Sequence, residues 1–215
     1  ELGPIRLARV HGVIGWNKFF IQETSRVIRA DDVPAAVVAA GRAREEALLR
    51  EAVGDVSPAL RNAYSLLLGL SIHDLSAMRE LLGMPAAVLY AAQRQNGRYL
   101  SAAFDYGDYI CHFETGIDNI PRFDAHLEVY GEERVLRVQY DTPYVRNLPI
   151  RLIITEGNGR GGAVERVENP AWGDAFVAEW QAFHDNVMRG RAAKSSPADF
   201  RQDLELFRQM IAAMI

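Results

Sequence analysis

The period of the apolar positions changes along this chain, and those changes divide it into elements. Ile5-Arg-Leu-Ala-Arg-Val-His11 alternates from residue to residue and predicts a strand. Phe19 to Ile28 is rich in strand formers and predicts a second, with Gly12, Gly15 and Asn17 between them in a loop that carries Trp16. Asp31-Asp32, Pro34 and a terminal Gly54 then frame an Ala, Arg and Glu-rich helix whose apolar face would run through Val37, Val38, Ala47 and Leu48. A second helical stretch runs from about Pro58 to Leu68. The stretch Leu66 to Gly83 reads as an apolar run, a polar break at His73-Asp74, and a short helix carrying Leu75, Met78, Leu81 and Leu82.

From Ala86 the pattern shortens into strands. Val88–Arg94, Arg98–Asp105 and Tyr109–Glu114 are separated by Asn96-Gly97 and Gly107-Asp108, which predict two-residue hairpin turns and an antiparallel meander. In Arg122–Tyr130, Phe123, Ala125, Leu127 and Val129 share one face, and Asp124, His126 and Glu128 the other. That strand turns at Gly131 into Val135–Tyr140, and Ile150–Ile154 with Ala163–Val167 predicts a further hairpin. One sheet face must then be covered by helices while the other is free to pair. Two helices close the chain, one with Phe176, Trp180, Phe183 and Val187 as a stripe, the other capped by Ser196-Pro197 and carrying Phe200, Leu204, Phe207, Ile211 and Met214. Both stripes read as core.

Composition narrows the partners. The chain has 215 residues, 49% hydrophobic and 24% charged, with a net charge of -4. Its basic residues are scattered, which argues against nucleic acid or an anionic membrane and favours a small neutral or polar ligand. The only cysteine, Cys111, excludes an intrachain disulfide and makes a reducing cytoplasm the default compartment. No stretch resembles a signal peptide or a spanning helix. The chain begins at Glu1 and enters a strand almost at once, which suggests a fragment or a processed piece.

Candidate chemistry is sparse. Gly157-Asn-Gly-Arg-Gly-Gly162 satisfies the G-x-G-x-x-G pattern, but the residues after it read as a strand stopped by Pro170, so a hairpin loop is the expectation rather than a dinucleotide site. No His pair stands at the i, i+4 spacing of zinc hydrolases, and no G-x-S-x-G elbow is present. His11 ends the first strand beside the Trp16 loop. Asp141-Thr-Pro-Tyr144 is either a ligand-contact surface or a plain turn. His73 is the residue best suited to exchange protons near neutral pH, or else it serves with Asp74 as a cap.

Taken together, the opening strand Gly3–His11, the segment Gly69-Leu-Ser-Ile-His-Asp-Leu-Ser-Ala-Met-Arg-Glu-Leu-Leu-Gly83, the strand pair around Leu127–Leu136 and the closing helices resemble the C-terminal domain of the Gfo/Idh/MocA oxidoreductases. This is the family of glucose-fructose oxidoreductase and inositol dehydrogenase. The resemblance implies an α+β fold like the C-terminal domain of dihydrodipicolinate reductase, with a large, mostly antiparallel open sheet and helices packed on one face. It implies that residues 1–215 form a single substrate-binding and oligomerisation domain, lacking an N-terminal Rossmann domain that would bind NAD or NADP. It implies a sugar or polyol substrate, a homo-oligomer formed through the open sheet face, and a proton-transfer role for His73. His11, Trp16, Arg26 and Tyr144 are the candidate substrate contacts. The family pattern often places an Asp four residues before its histidine and another three after; this chain has Gly69 and Ser76 there. Asp74 stands one residue from His73 and so points elsewhere on a helix. The alternative is a non-enzymatic α+β module that dimerises or binds a sugar.

Overall fold

The computed structural model describes residues 2–215. Its strands are β1 (Leu7–Gly15), β2 (Ala87–Arg94), β3 (Tyr99–Asp105), β4 (Ile110–Asp118), β5 (Phe123–Tyr130), β6 (Arg134–Tyr140), β7 (Arg151–Gly157) and β8 (Ala163–Glu168). Its helices are α1 (Lys18–Thr24), α2 (Ala35–Val53), α3 (Pro58–Leu66), α4 (Ile72–Leu82), α5 (Ala175–Arg189) and α6 (Pro197–Ala213). The strands form one open sheet in the order β2-β3-β4-β1-β5-β6-β7-β8. Every neighbouring pair is antiparallel except β1 and β4. The α+β architecture is therefore the expected one, with a topology that places the first strand in the middle of the sheet.

Register fixes the two faces. Ala8, Val10 and Gly12 of β1 stand beside Cys111, Phe113 and Thr115 of β4 and Val129, Leu127 and Ala125 of β5. Most of these are buried, and with Phe104 they meet Leu67, Leu75 and Met78 and the α6 residues Leu206, Phe207 and Met210 in one core. Burying each of the Val, Leu, Phe and Met side chains among them contributes about 1.5–3 kcal/mol. Cys111 lies 3.7 Å from Met78 Sδ, and burial pushes its thiol up to about 12, so it is packing rather than a nucleophile. The opposite face carries Arg9, His11, Glu114, Asp124, His126 and Glu128.

Several expectations are corrected. Residues 19–28 are not a strand: α1 occupies Lys18–Thr24, because both edges of β1 are already taken by β4 and β5. The hairpin turns hold four residues rather than two. Arg94 pairs with Tyr99 and Asp105 with Ile110, and Gln95, Asn96 and Gly97 all have positive φ. Nor does the chain break before His73. α3, a π-helical segment over Leu67–Ser71 and α4 form one continuous helix. In α2, Val37, Val38 and Leu48 are exposed, while Leu49, Ala52 and Val53 turn toward the core. The α5 stripe is not core: α5 buries no residue, and Trp180 is 70% exposed.

Candidate functional site

The long helix from Pro58 to Leu82 lies across β1 and β4 and sorts its side chains into two groups. Leu67, Ser71, Asp74, Leu75 and Met78 are buried toward the sheet. Gly69 and His73 are exposed and Ser76 half-buried, at positions 69, 73 and 76 along the other side of the helix. The π-helical segment inserts an extra residue into this helix immediately before His73; such insertions recur at functional sites. His73 and Asp74 lie inside a continuous helix, so neither caps a helix start. Asp74 points away from His73, as adjacent helical positions require.

Beneath the helix runs a buried polar seam. The Tyr140 hydroxyl donates to Asp74 Oδ1. Burial pushes the Asp74 carboxyl up to about 6, against the lowering influence of that hydrogen bond and of His11. Tyr140 is itself pushed up by burial and by the neighbouring carboxylate. A Cβ on Gly12 would sit 2.5 Å from Asp74 Oδ2, so glycine is what lets the carboxylate approach β1. Nearby, the Ser71 hydroxyl donates to Thr115 Oγ1 at 3.2 Å, and Thr115 donates to the Gly12 carbonyl at 3.1 Å. These contacts fix the rotation of the helix and hence the direction of Gly69 and His73.

A cleft of about 580 Å³ opens where the parallel strands β1 and β4 end. Trp16 and Lys18 form one wall, Leu66, Gly69 and Leu70 another, and Asn96 and Arg98 a third. Trp16 is anchored by its indole N–H, which donates to Asn119 Oδ1 at 2.9 Å. The Arg98 guanidinium stands 5.9 Å from the Trp16 ring centroid. A second cleft of about 550 Å³ lies between α2 and α3, lined among others by Leu48, Leu49, Tyr64 and Leu68. Gly69 borders both clefts, and no atom lies within 4 Å of where its Cβ would be.

The sequence-predicted residues do not all converge. Trp16 lines the first cleft, and His73 lies one helical turn beyond Gly69 on the same helix. His11 is on the opposite face of the sheet, with Nδ1 3.0 Å from Glu114 Oε2 and its ring stacked on His126 at 5.0 Å. Arg26 is exposed in the connection between α1 and α2. Tyr144 follows β6 and meets Phe176, ring centroids 6.2 Å apart. Sequence reasoning missed Lys18, Asn17 and Arg98 as cleft residues, and the pairing of Asp74 with Tyr140. The run Gln95-Asn96-Gly97 before Arg98 is the one local signal that pointed there.

Gly157 ends β7 and residues 158–162 join it to β8 as a hairpin loop, as their sequence context predicts. Asn158 Oδ1 accepts from the backbone N–H of Arg160 and Gly162 at 2.9 and 3.0 Å, and no helix starts there, so these residues do not fit a dinucleotide pyrophosphate. Among the described residues, no group of three or more His, Cys, Asp or Glu side chains is arranged to hold a metal ion. No helix among them is long and apolar enough to cross a membrane.

The sequence matches no family model and no curated protein. Solved structures share its fold. UDP-N-acetylglucosamine 3-dehydrogenase from Acidithiobacillus ferrooxidans is 15% identical with a TM-score of 0.61, covering 99% of this chain and 55% of its own. A 3-ketoreductase from Actinomadura kijaniata, solved with TDP-benzene and NADP, is 14% identical with a TM-score of 0.59, covering 99% and 53%. An oxidoreductase from Bacillus cereus is 16% identical with a TM-score of 0.59, covering 99% and 58%. This chain thus spans about half the length of the oxidoreductases whose fold it shares.

Proposed function

We propose that the chain is the substrate-binding and oligomerisation half of an NAD(P)-dependent oxidoreductase acting on a sugar or polyol hydroxyl. One observation carries the reading: the fold matches, over 99% of this chain, about half of enzymes of that class, among them a sugar-nucleotide dehydrogenase and a ketoreductase solved with NADP. NAD or NADP would supply the hydride chemistry from a nucleotide-binding domain N-terminal to these residues. Within this chain, the cleft beside Trp16 and Gly69 would seat the sugar, and His73 would take or return the hydroxyl proton. Arg26, His11 and Tyr144 stand apart from that cleft and are the weaker candidates. The open sheet face, tiled with charged and imidazole side chains, would pair two copies.

The test is the protein carrying an N-terminal nucleotide-binding domain, followed by NAD(P)H binding and turnover of sugar alcohols. The expected outcome is nucleotide binding, with His73→Ala lowering turnover substantially and leaving nucleotide affinity nearly unchanged. Absence of nucleotide binding in that protein would sink the reading. A second reading, a non-enzymatic sugar-binding or dimerisation module, is favoured by one feature: Gly69 and Ser76 leave His73 without a carboxylate neighbour on its side of the helix. Sugar binding with no turnover in the unsubstituted protein would favour it, whereas unaltered turnover in His73→Ala would remove only the role of His73.

A further inference from the structure

The Trp16 cleft differs in charge from the rest of the molecule. The chain carries 24 Lys and Arg against 28 Asp and Glu, yet the only charged side chains lining this cleft are Lys18 and Arg98. Neither has a carboxylate within 4 Å among the described residues. Nearby Arg122, by contrast, is paired with Asp118 and Asp124 at 3.0 and 3.3 Å. Two cations left without counter-ions at one cleft, over an apolar floor of Ile14, Leu66 and Leu70, describe a place for an anion attached to a small body.

The wall that bears Arg98 is built in advance. Gln95 and Asn96 hold φ of 54° and 56°, a conformation that L-residues adopt at a cost, and Gly97 follows at 81°. The turn is clamped onto α3, where Asn62 Nδ2 donates to the Asn96 carbonyl at 3.1 Å and a Cβ on Gly97 would strike the Ala59 carbonyl. Gln93 Oε1 accepts from the Gly97 N–H at 3.0 Å. Arg98 Nη2 donates to the Ile117 carbonyl at 2.9 Å, which fixes the guanidinium while its other N–H groups have no hydrogen-bond partner among the described residues. Trp16 is fixed on the facing wall, where the Ile120 carbonyl leaves no room for a side chain on Gly15. Asn17 belongs to the same wall, and its Oδ1 is buried without a hydrogen-bond partner among the described residues.

We propose that this cleft binds the phosphate or carboxylate of an anionic sugar, with Lys18 and Arg98 holding the charge and Trp16 flanking the ring. The inference rests on the substrate-half reading in taking the ligand to be sugar-like, and it adds that the sugar is charged. The test is calorimetric titration of this chain with D-glucose 6-phosphate, D-glucuronate, D-glucose and inorganic phosphate, at low salt. At least one anionic sugar should bind about tenfold or more tighter than glucose, and Lys18→Gln and Arg98→Gln should each weaken it by about tenfold. The two anionic sugars tell phosphate from carboxylate. Circular dichroism of each variant checks folding, and Arg98→Lys should recover part of the affinity if charge is what counts. Glucose binding as tightly as its anionic counterparts, or anion binding that survives the double variant, overturns the inference and leaves the substrate-half reading standing. Binding of no sugar at all overturns the inference and removes this cleft from that reading, which its nucleotide test then judges separately.

Discussion

Asp74 shows how one side chain ties the candidate helix to the sheet. It is 3% exposed, hydrogen-bonded by Tyr140 and seated against the bare backbone of Gly12. Burial raises its pKa from 3.8 to about 6, so between those values the folded chain holds a proton that the unfolded chain has released. Stability therefore falls as pH rises through that window, by about 3 kcal/mol at most, and levels off above it. Urea titrations from pH 4 to 7 should show this decline. Asp74→Asn keeps an acceptor for Tyr140 but cannot ionise, and should flatten the profile; Tyr140→Phe removes an interaction that lowers the pKa and should move the decline to higher pH. An unchanged profile in Asp74→Asn would assign the slope to other groups. The sequence exposes half of this arrangement. Adjacent helical positions diverge, so Asp74 pointing away from His73 follows from the sequence. Its partner does not, because Tyr140 stands 66 residues later and reaches it only through sheet order.

At the scale of elements, α4 and α6 are joined by a buried ion pair that no local pattern announces. Arg79 Nε donates to Asp203 Oδ1 and Nη2 to Oδ2, both at 2.7 Å, and Nη2 also reaches Asp199 at 3.0 Å. Asp203 is 1% exposed. Arg79→Met would leave that carboxylate buried and unpaired, and should lower stability by about 3–5 kcal/mol in chemical denaturation. The double variant Arg79→Met, Asp203→Leu should recover much of the loss, because two apolar side chains need no counter-ion. If the two losses simply add, the pair is not coupled as described. Element types were legible where the periodicity was long, as in α2, α6 and β5. They were not where tertiary context decided. Phe19-Phe-Ile21 reads as strand by composition, yet no sheet edge is open beside β1. His73 and Asp74 read as a break because both are weak helix formers, whereas burial of Leu67, Leu75 and Met78 carries the helix straight through.

For the whole molecule, an amphipathic pattern states that a face is apolar and leaves open what it meets. α5 and α6 both carry aromatic and aliphatic residues at helical spacing. α6 lies on the sheet and buries Leu206, Phe207, Met210 and Ile211, whereas α5 buries nothing and leaves Trp180, Phe183, Val187 and Met188 between 56% and 70% exposed. The two stripes therefore differ in what they contribute to this chain. Phe207→Ala should cost about 3–5 kcal/mol through the cavity it leaves. Trp180→Ser combined with Phe183→Ser should change stability by no more than about 0.5 kcal/mol, the range of surface substitutions. Comparing urea midpoints at constant slope separates the two cases. A loss in the double serine variant approaching that of Phe207→Ala would mean that α5 packs against the body of the chain in solution.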